Sequence, residues 1–384
     1  MKRKMLVIVA MIAMIFSLSV VNAKEVEVND AATLLAAFKN AESGDVVKLI
    51  DNITYTLPDR VLVSTNVTLN MNNHNIDFDG ASVRSFTVQD GSLNIIGKGT
   101  ISHLEHNALN VRGTTDKTKV NYSTLKVGKD VTVNGLYGIA VFYDPENKKI
   151  GYGVNVEFAG KIESTEGGIT INGNLQNAEG APVINILDGA VINSKKTGLY
   201  VAGNGTWNIG KANITGNDSA IAIKSGKVII NGGTYTCDGE SQIPTEGYSN
   251  GINASGAAIQ LESNKNYYGN VELIIKDGTF TSKNAVSIYE YLDKNINKTN
   301  INKIEILGGK FVSADGMSNF KISNELEYKG VIEVSGGTFS ANPVTYLKPA
   351  HKVTFSEEKY VVSPINVVEG TFIISGTITN GKNA

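Results

Sequence analysis

The side chains of this chain best suited to hold a ligand are aromatic. Tyr248, Tyr267, Tyr268, Tyr289 and Tyr291 fall close together in the sequence. A tyrosine on a flat exposed wall offers an apolar face that stacks on a sugar ring and a hydroxyl that hydrogen-bonds it. These five are the expected ligand-binding residues, and a polysaccharide is the expected partner. Catalytic chemistry is harder to assemble. The densest polar cluster is early: Asp77, Asp79, Arg84, Asp90, His103, Glu105, His106 and Arg112. His103 and His106 stand three apart, which on extended backbone sends them to opposite faces, and no third zinc ligand accompanies them. Calcium wants roughly six to eight oxygens. Asp188 and Asp277 share a phase before a turn glycine, but intervening repeats keep them apart. Cys237 is the single cysteine, which excludes an internal disulfide; it reads as a small core or surface thiol. The linear sequence thus assigns no catalytic residue, no metal site and no cofactor, and calcium is not indicated.

Length and composition bound the rest. The chain has 384 residues, of which 41% are apolar, enough for a large core. Forty glycines against 7 prolines suit many tight turns between short strands. The formal net charge of -2 becomes -5 once the three leader cations Lys2, Arg3 and Lys4 are removed. That modest acidity argues against nucleic acid, which needs a basic face. No arginine follows Arg112. Residues 1–23 read as a secretory signal peptide, with a basic start, an apolar run from Met5 to Val21, and small residues up to Ala23. Cleavage after Ala23 predicts a secreted or cell-surface protein. No second apolar run of about 20 residues follows, so no membrane span is expected after cleavage.

Residues 24–384 are expected to form a single domain. In residues 25–50, Val26 and Val28 alternate as in an edge strand. Asn29 or Asp30 caps a short helix whose Leu34, Leu35, Phe38 and Ala41 share one face, and Gly44 ends it. From residue 51 onward a two-part phrase recurs: a strand with a glycine turn, then a second apolar anchor. Examples are Val228–Tyr235, Leu273–Phe280 with Val286, Ile304–Phe311 with Phe320, and Ile332–Phe339 with Tyr346. The phrases lie mostly about 21 to 32 residues apart, which is one turn of a three-sided solenoid. A hairpin meander would repeat at about 8–12 residues. Parallel stacking at about 4.8 Å puts branched inward residues into a continuous core. The helix covers the open edge that such a stack presents at its start. Residues 236–258 interrupt the pattern as an inserted loop, and Tyr143–Tyr152 as a smaller one. Trp207 falls at an inward phase.

The repeats Gly-Leu-Tyr-Val-Ala-Gly (198–203) and Ile-Asn-Gly-Gly-Thr-Tyr (230–235), with the capping stretch Ala31–Asp51, carry a resemblance. The chain resembles a right-handed parallel β-helix of the pectin-lyase-like superfamily, and the Gly-Gly-Thr-Phe phrase resembles repeats of secreted bacterial β-helix proteins. The implied fold is all-β: a three-sided solenoid of about ten coils with a short N-terminal capping helix. The superfamily holds lyases, hydrolases and adhesins, so the fold alone does not choose an activity. Its calcium-dependent lyases use clustered carboxylates with an Arg or Lys base, and its hydrolases carry an Asp-Asp pair and a His-Gly; neither dipeptide occurs here. The expectation is a non-catalytic glycan-binding or adhesive module. The alternatives are a polysaccharide lyase or glycoside hydrolase with a dispersed site, and a structural spacer of a longer surface protein.

Overall fold

The computed structural model describes residues 23–81, 85–113, 122–144, 149–150, 153–172, 180–240, 254–263, 267, 269–292, 301–322 and 331–365. The expected leader up to Asn22, most of the 236–258 loop, Arg84, Tyr248 and Tyr268 lie outside them. The described chain is all-β apart from one α-helix and one short 3-10 turn, and its strands pair mainly in parallel.

Three stacks of parallel strands account for the architecture. Most strands pair in parallel with a counterpart roughly one phrase later in the chain. In the first stack Leu125 lies in register with Leu93 and Val156, and Trp207 with Ile184 and Val228. In the second, Ile101, Val133, Ile162, Ile192 and Ile214 form one inward column. In the third, Leu109, Ile139, Ile169, Leu199, Ile221, Ile259 and Ile288 do the same. The three inward faces enclose one continuous apolar core. Trp207 is fully buried in it, as its phase requires.

The second-stack column changes character part-way. Ile214 is followed by Tyr235, Phe280, Phe311 and Phe339. Their rings stack at centroid separations of 4.8, 4.9 and 4.8 Å, within 11° of parallel. The Gly-Gly-Thr-Phe phrase is therefore a ring-stacking device: the glycines turn the chain and the aromatic joins the column. Gly233 and Gly337, at φ of 96° and 107°, supply left-handed turns that a side chain would strain.

The helix spans Ala31–Lys39, with Asp30 accepting from Thr33 in a capping box. It ends at Asn40, earlier than Gly44, which instead turns the chain at φ 100°. Leu34 and Phe38 are buried, and Phe38 meets Phe86 edge-on at 5.3 Å, so the helix covers the start of the third stack. At the other end of the described chain, Gly337–Phe339 receives an antiparallel strand, Lys359–Pro364, which forms a hairpin with His351–Ser356.

Three local expectations need correction. The third-stack anchor after Phe280 is Ile288, not Val286; Val286 belongs to a small cluster with Ala257 and Tyr289. Tyr346 is buried against Phe320 at 4.8 Å, but from the 3-10 turn Val344–Tyr346 rather than a strand. His103 and His106 do not diverge: their rings meet at 4.9 Å, because residues 102–107 round the corner between two stacks.

Candidate functional site

A strand of the third stack has an inward face in the core and an outward face that should meet water. Here the outward face is buried too. Thr170, Tyr200, Ala222, Gln260 and Tyr289 form one outward column in register, and each is at least nine-tenths buried. A second outward column, Thr197, Ser219 and Ala257, lies nearer the corner. Its direction follows from Gly198 beside it, where a Cβ would strike the core side chain of Ile214 at 2.5 Å. Gly198 thus faces inward and Thr197 outward.

This buried outward face is polar and incompletely satisfied. The hydroxyls of Thr87, Thr197, Ser219 and Ser225 and both amide atoms of Gln260 are buried, with no hydrogen-bond partner among the described residues. Buried polar groups in folded proteins are overwhelmingly paired, and each one left unpaired costs on the order of 1–3 kcal/mol. Fewer such atoms lie on the other two stacks, where Trp207 Nε1 and Asn134 Oδ1 are among them.

A charged pair sits among them. The ladder slips between Val201 and Ala202, so that Val201 pairs with Ile223 and Ala202 with Ser225, leaving Lys224 as the extra residue of a bulge. Lys224 Nζ lies 2.9 Å from Glu262 Oε1, and both side chains are completely buried. The ammonium also lies 4.8 Å from the Tyr267 ring centroid and 5.5 Å from that of Tyr200. The two phenols share a hydrogen bond of 2.9 Å. Tyr267 packs on Tyr200, Ala202 and Ala222, so the two alanines form the small-residue floor on which its ring rests. Burial and the neighbouring Tyr267 raise the Tyr200 phenol far above its ordinary range, which keeps it protonated as a donor. Glu290, in register with Leu261, is buried and accepts from Ser263 Oγ at 3.1 Å.

At the corner leading into this wall, Glu166, Lys196 and Asp218 precede Gly167, Thr197 and Ser219, which are register partners. They therefore stack as acid, cation and acid. Lys196 Nζ bonds Glu166 Oε2 at 2.6 Å. The Asp218 carboxyl is pushed up by burial, with Glu166 adding to the shift and Lys196 opposing it. On the other side of the corner runs an open groove of about 430 Å³, lined among others by Leu104, Asn134, Glu163, Thr165, Asn193 and Lys195.

The structure places the predicted tyrosines as follows. Tyr289 and Tyr291 lie on the third wall in a cluster with Ala257 and Val286, whereas Tyr267 belongs to a separate cluster with Tyr200, Ala202 and Ala222. Tyr267 and Tyr289 are each only 8% exposed, so they are not open stacking platforms. Sequence reading missed Lys224, Gln260 and Glu262. Each alternates with apolar residues, in Ile221-Ala-Ile-Lys-Ser225 and Ile259-Gln-Leu-Glu-Ser263, and so looks like an ordinary solvated outer position. The early cluster does not assemble as a site. His103 is buried near Phe78, Asp77 accepts from Ser102 Oγ at 2.9 Å, and no group of three or more metal-binding side chains occurs among the described residues. The Cys237 thiol is buried and raised to about 12, mainly by burial, which makes it a poor nucleophile. No helix among the described residues is long and apolar enough to cross a membrane.

Comparison with protein-family models, with curated proteins and with solved structures finds no match to this chain.

Proposed function

We propose that this is a secreted or cell-surface protein, a right-handed three-sided β-helix of about ten coils resembling the pectin-lyase-like superfamily, whose third wall binds a glycan without cleaving it. The observation that carries this reading is the buried, unpartnered set Thr197 Oγ1, Ser219 Oγ, Ser225 Oγ and the Gln260 amide on a face that also holds Tyr200, Tyr267 and Tyr289. Sugars supply hydroxyls that both donate and accept, which such a mixed set requires. Strand steps of about 4.8 Å along the wall give a repeating ligand a repeating partner. The leader at residues 1–23 supports export.

The test is retention of the chain starting at Lys24 on insoluble plant, bacterial and host glycans. Retention that falls at least tenfold in Gln260→Ala, with thermal stability preserved, is the expected result. Loss of one good hydrogen-bonding side chain corresponds to about that factor. Retention on no glycan at all would remove the reading. A second reading, hydrolysis, is favoured by the Glu166–Lys196–Asp218 column, which sets two carboxylates two strand steps apart, about 9–10 Å at the backbone. New reducing ends in the same incubation, abolished in Asp218→Asn, would establish it in place of simple binding.

A further inference from the structure

Resting on the glycan-binding reading, we infer that the open groove at the corner between the second and third stacks is a second glycan subsite, in which a sugar chain lies parallel to the solenoid axis. The groove arises from unequal corners. Gly135 and Tyr137 are separated by the single residue Leu136. Their partners in the preceding coil, His103 and Asn107, are separated by three residues, and those in the following coil, Ser164 and Gly167, by two. In the next coil Lys195 and Lys196 fill the same interval, between Ser194 and Thr197. The short corner therefore leaves a notch between longer ones. The notch continues along the stack, because its lining takes Leu104, Gly135, Thr165, Lys195 and Asn217 from successive coils. From first to last these residues span four strand steps, about 19 Å. The groove of about 430 Å³ is thus elongated along the axis.

Its chemistry suits a sugar chain. Thr165 Oγ1 and Asn134 Oδ1 have no hydrogen-bond partner among the described residues, yet neither residue is fully buried. Rotation about one side-chain bond turns the Thr165 hydroxyl toward the groove, or exchanges the two amide atoms of Asn134. Lys195 and Asn217, both exposed, add further polar groups. Glu163 is already engaged, by Asn193 Nδ2 at 3.0 Å and by Lys161 Nζ at 2.7 Å. Sugar hydroxyls, which both donate and accept, match such a mixed set. Leu104, 54% exposed, offers an apolar contact at one end. An extended peptide fits less well, since it needs a free strand edge or apolar pockets. The ladder through Asn134, Glu163 and Asn193 is paired on both sides. The groove also supplies what the neighbouring wall lacks: the outward column there is at least nine-tenths buried, whereas the groove is open.

The experiment uses the chain from Lys24 in affinity electrophoresis with arabinoxylan, mixed-linkage β-glucan, galactomannan, polygalacturonate, alginate and chondroitin sulfate. Oligosaccharides of any glycan that retards it, from disaccharide to hexasaccharide, are then titrated by calorimetry. Affinity is expected to rise with length up to about the pentasaccharide, as a chain lying across four strand steps requires. Thr165→Val is expected to weaken binding about tenfold. Its melting temperature should equal or exceed that of the wild type, because the change removes an unpaired polar atom. Leu104→Ser is expected to weaken binding by a similar factor through lost apolar contact. Wild-type affinity in either folded variant, or no gain in affinity beyond the disaccharide, overturns the inference and leaves the binding reading intact. Retardation by none of the glycans removes the binding reading and the inference with it. If Thr165→Val does not fold, Leu104→Ser, at an exposed position, decides together with the length series.

Discussion

The buried ion pair gives the sharpest quantitative prediction. Lys224→Met removes the cation while keeping most of its volume and leaves Glu262 fully buried beside two tyrosine rings. At 2.9 Å and an effective dielectric of about 20, the lost attraction is about 6 kcal/mol. Other interactions of the carboxyl recover part of this, and removing one partner of a buried pair typically costs about 3–5 kcal/mol. For a chain of this size that is a fall in melting temperature of roughly 5–10 °C. The double variant Lys224→Met/Glu262→Leu removes both charges and is expected to recover most of the loss, since apolar replacement of a buried pair is often neutral or stabilising. The assay is thermal unfolding by circular dichroism at neutral pH, with hydrogen exchange to localise the effect. If the single variant is as stable as the wild type at neutral pH, or the double as unstable as the single, the pair is not as dry as its geometry indicates and the argument fails.

Two further perturbations test other parts of the molecule. Phe311→Ala deletes a ring stacked on both sides, at 4.9 Å on Phe280 and 4.8 Å on Phe339; it should cost about 3–5 kcal/mol, and Phe311→Leu clearly less, both read by thermal unfolding. Asp218→Asn addresses a carboxyl raised from its ordinary 3.8, chiefly by burial. A raised carboxyl binds more protons folded than unfolded, so its contribution is greatest at low pH and is lost as pH rises through the folded value. The variant should therefore flatten the fall in stability on the alkaline side of about pH 4, and an unchanged pH profile would contradict the assignment.

The parallel stacks were legible in the sequence because like residues recur at like phase, and a buried column tolerates few alternatives. The anchors at Leu109, Ile139, Ile169, Leu199, Ile221 and Ile259 all fall in one inward column. Reading failed where the phase breaks. At Val286 a local shift of two residues gives the inward place to Ile288. At His103 a corner replaces a straight strand and brings together two rings that alternation would separate. At Lys224 a single bulge residue turns a charge into a buried one. The site was only half visible for the same reason. The tyrosines announced themselves by type, but burial of the outward face of a solenoid leaves no periodic signature, since polar residues at alternate positions are also what a solvated wall requires.

The one-to-one register between successive coils bears on how such a chain changes length. A single residue gained or lost inside an inward strand would turn every later side chain of that strand to the wrong face. A segment equal to one whole coil can instead be duplicated or deleted and still meet matching neighbours above and below. Growth of the molecule is thus quantised. The place where Ile214 gives way to Tyr235 marks a joint: copies made within the aliphatic section or within the aromatic section preserve their columns, whereas a copy moved across the joint would set a ring where a branched side chain had been.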